Sequence, residues 1–313
     1  MESSTAALMA PDLALEPDGF VVVAESGDRI HFLDWGGPGG LPGIVAVHGL
    51  SQTAWIWAPV ARRLGGANGV RRVVSIDLRG HGLSDAPTDD GSYDLPVLGS
   101  DVIAAAEGSG LLTTDDDGSR VVLAGHGFGA IVAATAAIEL GGRCAGVVLV
   151  DGGWESLEAS TGIDVDEFLR GIDEPPEVMR SLAAYLRDRS RFDPATWDAD
   201  QDRAARATVV ETHAGRVVPA TRPHALEASV RAMFTYDPIA TLAAVSAPIV
   251  ALIAADDDEG SRARALDAAS SARVAAGLDA IERVSFGHDG HNLMRYRPRE
   301  VAAAITSVGG ANR

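Results

Sequence analysis

Phe20 to Ala24 is an apolar, β-branched run and Arg29 to Trp35 mixes polar with apolar positions in near alternation, with the polar stretch Glu25-Ser26-Gly27-Asp28 between them. That pattern predicts a β-hairpin closed by a tight turn. Further along, the period changes. Ile44 to Val47, Val73 to Ile76, Val121 to Ala124, Val147 to Val150 and Ile249 to Ala254 are unbroken apolar runs, as expected of strands covered on both faces of a parallel sheet. Between them, Trp57 to Leu64, Leu95 to Glu107 and Phe128 to Leu140 have helical length and helical apolar spacing. Strands and helices therefore alternate, the pattern of an α/β fold with right-handed crossovers.

The rhythm breaks from Trp154 to Tyr236. No strand-like run occurs there, and several amphipathic stretches are punctuated by Pro175-Pro176, Pro194, Pro219 and Pro223. We expect a helical cap over residues 154–236, inserted into a core made of 18–153 and 237–313. After Pro248 the core pattern resumes, with a helix at Ser261 to Ala276, a strand at Ile281 to Ser285 and a helix from Pro298 to Ser307. Residues 1–17 carry Glu2, Asp12 and Glu16 and lack a basic region followed by an apolar one, so they read as a disordered start rather than a signal peptide. No apolar run approaches the roughly 20 residues that span a bilayer.

Charge narrows the partners. With 26 Lys and Arg against 44 Asp and Glu the formal net charge is −18, which disfavours nucleic acid and anionic membrane surfaces and leaves small neutral or apolar molecules. Oligomeric state stays open. Cys144, the single cysteine, has no partner for an intramolecular disulfide and sits in an apolar run, consistent with a buried thiol and a cytoplasmic protein.

Three loops carry candidate chemistry. Val45-Ala46-Val47-His48-Gly49-Leu50 ends one buried strand, Asp77-Leu78-Arg79-Gly80-His81-Gly82-Leu83-Ser84 follows another, and Gly125-His126-Gly127-Phe128-Gly129 joins a strand to a helix. Together they resemble the α/β-hydrolase fold family, over residues 20–307. The resemblance implies a mostly parallel eight-stranded sheet with helices on both faces and an inserted helical cap. It also implies a nucleophile elbow, a sharp turn that lifts its central side chain above the sheet. The central residue here is Gly127, which has no hydroxyl, thiol or carboxylate and cannot form a covalent intermediate. His126 and Phe128 flank the apex and are expected to point away from it. A naturally encoded glycine and a serine replaced by mutation read identically in the chain.

The other parts of a family site are present. Gly287-His288-Asp289-Gly290-His291-Asn292-Leu293-Met294 follows the last strand and resembles the catalytic-histidine loop, making His291 the expected base, with His288 as the alternative. The acid is expected after the strand ending at Ala254, at Asp258, with Asp257 one residue away. Asp151, in Asp151-Gly152-Gly153, is a second acid position used by some members and reads here as a cap hinge. The oxyanion hole implied by the family is the backbone N–H of Leu50 and of Phe128. Asp77, Arg79, His81 and Ser84 are expected to brace their loop. His48, Trp55, Trp154 and Phe234 are candidate pocket walls, as is Trp57, and each is equally a candidate core residue. No metal or cofactor is called for. The expected function is action on a small, largely apolar carbonyl compound, an ester or lactone. The alternatives are a non-hydrolytic lyase, cyclase or cofactor-free oxygenase of the same fold, and a catalytically silent ligand-binding protein.

Overall fold

The computed structural model describes residues 10–113, 118–172, 181–254, 260–287 and 289–309. The opening hairpin forms as β1 (Asp18–Val23) and β2 (Arg29–Asp34), followed by β3 (Gly43–Val47), α1 (Ala58–Leu64), β4 (Val73–Ile76), α2 (Leu95–Gly108), β5 (Val121–His126), α3 (Phe128–Leu140) and β6 (Cys144–Val150). Between β6 and the next strand of the main sheet lie α4 (Leu157–Thr161), α5 (Val165–Ile172), α6 (Leu182–Phe192), α7 (Ala199–Ala207), β7 (Val209–Glu211), β8 (Val217–Pro219), α8 (Pro223–Phe234) and α9 (Pro238–Ala244). The chain then runs through β9 (Ile249–Ile253), α10 (Ser261–Ala275), β10 (Glu282–Ser285), α11 (Leu293–Tyr296) and α12 (Pro298–Val308).

Eight strands form one sheet in the order β1-β2-β4-β3-β5-β6-β9-β10. Only β2 runs against its neighbours, pairing antiparallel with β1 and β4; the remaining pairs are parallel. Alternation along the central strands splits the core in two. Val45, Val47, Leu123, Val147 and Leu149 face one side with Leu98, Ala133 and Leu266 of the covering helices. Ile44, Ala46, Val122, Ala124 and Val148 face the other with Val60, Leu64, Val301 and Ile305. Both faces of β3, β5 and β6 are therefore buried, which is why these strands read as nearly continuous apolar runs.

Two expectations need correction. Residues 154–236 contain a short antiparallel hairpin, β7 with β8, because two Val pairs, Val209-Val210 and Val217-Val218, flank a turn through Gly215 at φ +71°. The start of the chain is also held further out than expected. The buried Arg62 guanidinium donates to the carbonyls of Asp12, Leu13 and Leu15 and pairs with Glu16 and Asp200, so residues 12–16 are docked on α1. A long-range anchor of this kind leaves no trace in local sequence. No described helix is long and apolar enough to cross a membrane.

Candidate active site

The turn between β5 and α3 can be built only with small residues on either side of its apex. A Cβ on Gly125 would lie 2.2 Å from the Gly129 carbonyl oxygen, and one on Gly129 would lie 2.4 Å from that of His48. The apex residue, Gly127, has φ +52° and ψ −115°, a region that side-chain-bearing residues enter only under strain. A Cβ on Gly127 would face the histidine loop, with His291 Nε2 at 3.3 Å as its nearest neighbour. The apex and the base expected from the sequence thus face each other.

His291 is fixed from two sides. Its Nδ1–H donates to Asp151 Oδ2 at 2.6 Å, which leaves the Nε2 lone pair directed at the apex. Asp151 directly follows β6 with φ +49°, and its other oxygen accepts from the Ala254 N–H and from Arg262 Nη2, both at 3.0 Å. Burial pushes this carboxyl up, but the hydrogen bonds from His291 and Ala254 and the Arg262 charge outweigh it and hold it below the ordinary carboxylate range. The His291 side chain itself is 57% exposed, open to an incoming molecule. Neither the Leu50 nor the Phe128 N–H donates to any acceptor among the described residues, and both adjoin the apex loops.

A second layer orients this set. His126 points away from the apex and under the His291 loop, with ring centroids 4.3 Å apart. Its nitrogens lie 3.0 Å from Gln52 Oε1 and 3.1 Å from the His291 carbonyl oxygen. Burial drives the His126 pKa down to about 3, so the ring is neutral. Gln52 also accepts from the Gly49 N–H at 3.0 Å and donates to Asn292 Oδ1 at 2.7 Å, joining the His-Gly loop to the histidine loop. Gln52 and His126 were missed as positioning residues because both contacts link loops far apart in sequence.

The remaining site expectations divide. Asp258 and Asp257 lie outside the described residues, as does His288. The carboxylate on His291 Nδ1 is Asp151, which the hinge-like Gly-Gly context had disguised. His48 is not a pocket wall: it is fully buried, its Nε2 accepts from the Leu78 N–H at 3.0 Å and its Nδ1 donates to the Gly49 carbonyl at 2.7 Å. Trp55 faces a different, open groove of about 480 Å³, stacked under the Arg203 guanidinium at 4.5 Å. Trp57 and Trp154 are core residues, each 1% exposed. Phe234 meets Phe168 of α5 edge-on at 5.5 Å, because at nine residues, or half a turn round the helix, from Ala225 it leaves the inward face of α8. The bracing motif behaves as read. Asp77 accepts from His31 Nδ1, the Ala54 N–H and the Leu83 N–H at 2.7–3.0 Å, and Arg79 grips Asp101 through two bonds of 2.6 Å.

A mostly parallel sheet whose sharpest strand-to-helix turn faces a histidine–carboxylate pair defines a protein of the α/β-hydrolase type. A family model described as "Alpha/beta hydrolase family" matches residues 44–304, and the chain belongs to that family. Among relatives, it is 32% identical over 122 residues to epoxide hydrolase 4 of Mus musculus, a match covering 39% of this chain and 31% of the relative. It is 27% identical over 257 residues to the putative carbamate hydrolase RutD of Variovorax paradoxus, covering 82% of this chain and 86% of that one. The chain thus spans under a third of the epoxide hydrolase's length. Among solved structures, E-2-(acetamidomethylene)succinate hydrolase superposes with a TM-score of 0.75 at 20% identity, over 95% of this chain and all of that one, a likeness of fold.

Proposed function

We propose that this α/β-hydrolase family protein hydrolyses a small activated ester or lactone by direct attack of water, with His291 as general base, Asp151 as the acid that orients it, and residues 154–236 as the cap over the site. One observation carries the reading: the Nε2 of a carboxylate-held histidine lies 3.3 Å from the point where the apex side chain would begin, and the apex is glycine. A water in that space accepts the place of a nucleophilic hydroxyl. Its oxygen attacks the carbonyl carbon as its proton passes to Nε2, and the resulting imidazolium is stabilised by Asp151. The Leu50 and Phe128 N–H groups receive the developing oxyanion. His291 then returns the proton to the departing alkoxide, giving acid and alcohol, or a hydroxy acid from a lactone.

General-base assistance contributes about 10²–10⁴-fold, which suits an activated carbonyl and not an amide. The test is hydrolysis of p-nitrophenyl acetate and of a strained lactone. Wild type is expected to turn over at least one of them, His291→Ala to lose that turnover while keeping its fold, and His288→Ala to keep it. Equal turnover in the wild type and His291→Ala overturns the assignment, and isomerisation or retention of the probes without hydrolysis points to a lyase or a binding protein.

A further inference from the structure

The carboxylate that holds His291 is itself held by a side chain to which the reaction as described gives no part. Arg262, the second residue of α10, meets Asp151 at the oxygen opposite the histidine. Its Nη2 donates to Asp151 Oδ1 at 3.0 Å, while Asp151 Oδ2 accepts from His291 Nδ1 at 2.6 Å. Through Nε it also donates to Glu155 Oε1 at 2.6 Å, and its guanidinium carbon lies 5.3 Å from the centre of the Trp154 ring. One unbroken series of contacts therefore leads from Trp154 and Glu155, in the segment that follows β6, through Arg262 and Asp151 to the ring that faces the Gly127 apex.

The stability of α10 does not select an arginine at this position. The first turn of a helix favours acids and disfavours cations, because the macrodipole is positive there, and α10 has no acidic residue in that turn to offset the charge. The partners of Arg262 account for it instead. A planar guanidinium presents its donors in fixed directions and stacks on an aromatic ring, so a single side chain engages two carboxylates while resting on Trp154. Lysine, with one compact ammonium, does not reproduce that fork.

Asp151 needs such a hold. Its side chain is 4% exposed, and its backbone, at φ +49°, occupies a region that a residue with a side chain keeps only where its surroundings fix it. The terminal torsion of an aspartate is soft and roughly two-fold, so a carboxylate tied down at one oxygen alone swings readily. Among the described residues Oδ1 accepts from the Ala254 N–H and from Arg262, both at 3.0 Å. The amide fixes that oxygen against the end of β9, and the guanidinium adds a charge-assisted bond from another direction. With Oδ1 held twice, Oδ2 stays on the His291 Nδ1–H.

We infer that Arg262 is a positioning residue of the reactive pair: anchored by Glu155 and Trp154, it locks Asp151 in the rotamer that keeps the His291 imidazole in its working tautomer and aimed at the apex. It touches neither substrate nor reacting atoms and acts only through Asp151. Its part in turnover rests on the hydrolytic reading above; its hold on Asp151 is tested without turnover.

The experiment is NMR of protein isotope-labelled in its histidine nitrogens, run beside steady-state kinetics on p-nitrophenyl acetate. Wild type is expected to show a downfield Nδ1–H resonance that His291→Ala lacks. Arg262→Gln and Arg262→Met keep a stem over Trp154 and remove the charge. In both, the resonance is expected to broaden or vanish, with kcat at least about tenfold lower and KM changed by less than about threefold. Arg262→Lys returns a charged donor to Oδ1 and is expected to recover the resonance, and kcat to within about threefold of wild type. Five results each overturn the role: no such resonance in the wild type, a resonance that persists in both neutral variants, an effect confined to KM, no recovery in Arg262→Lys, or failure of both neutral variants to fold by circular dichroism, which makes Arg262 a structural residue. A resonance that depends on Arg262 in a wild type that hydrolyses no ester sinks the hydrolytic reading alone, and ester hydrolysis with a resonance indifferent to Arg262 sinks the positioning role alone.

Discussion

Replacing Gly127 with serine restores a hydroxyl at the one point of the turn that faces His291. The structure sets both the cost and the gain. At φ +52° and ψ −115° a side chain costs about 1–3 kcal/mol in backbone strain, and the new Cβ, 3.3 Å from Nε2, presses on a ring that is exposed enough to yield. The expected result is a folded protein with a Tm lowered by a few degrees. The serine Oγ, one bond beyond that Cβ, comes within hydrogen-bond reach of Nε2, with Asp151 behind the ring and the Leu50 and Phe128 amides unoccupied. A nucleophile–histidine–acid set contributes far more than the oxyanion donors alone, which retain about 10³–10⁴-fold over water. Gly127→Ser is therefore expected to raise esterase activity on an activated ester by about 10²-fold or more, with a stoichiometric burst of acyl-enzyme and covalent labelling by a fluorophosphonate. Stopped-flow release of p-nitrophenol and intact-mass spectrometry read the two outcomes. A folded Gly127→Ser protein with neither burst nor label would refute the claim that the histidine, acid and oxyanion amides are in working alignment.

Four further outcomes follow from the buried groups. Asp151→Asn leaves the loop geometry in place but favours the wrong imidazole tautomer, and turnover is expected to fall by up to about 10⁴-fold; unchanged turnover would place the acid elsewhere. His81 and His126, each with a folded pKa of about 3, are expected to show no change in imidazole NMR shifts between pH 5 and 8. Because their unfolded forms bind protons near pH 6.5, they make the protein progressively less stable as pH falls from about 6.5 toward 3. Asp77 and Asp151, whose carboxyls are held low, add a second loss as pH falls below the ordinary carboxylate value, so a urea midpoint that stays flat from pH 7 to 4 would contradict the histidine loss, and one that stays flat from pH 4 to 2 the carboxylate loss. Burial pushes the Cys144 thiol up to about 11, and native protein at pH 8 is expected to leave it unmodified by iodoacetamide while unfolded protein reacts fully.

What could be read from the sequence was what local pattern controls. The parallel strands announced themselves because β3, β5 and β6 are buried on both faces, and the elbow did so because Gly125 and Gly129 have no room for a side chain. Gly127 and His291 were legible because each sits in a motif at the end of a strand. The acid was harder. Asp151 follows β6, and Asp257 and Asp258 follow β9 in the sequence; the two strands are neighbours in the sheet, and local pattern does not choose between the two loops. The docking of residues 12–16 by Arg62 and the link from Gln52 to Asn292 stayed invisible for the same reason, since each depends on two segments brought together only by the fold. Aromatic residues were poor guides to the pocket: size alone does not distinguish a wall from the core, and Trp57 and Trp154 proved to be core.

The central claim is that water attacks the substrate directly, with His291 as base and no covalent intermediate on the protein. Intact-mass spectrometry of the wild type, quenched during turnover of p-nitrophenyl acetate and followed in parallel for p-nitrophenol release, tests it most directly. The account predicts linear release without a burst, an unshifted protein mass, and loss of release in His291→Ala. An acetyl adduct that forms and decays at the rate of turnover would contradict it, by showing that another side chain has taken over the role of the absent elbow nucleophile.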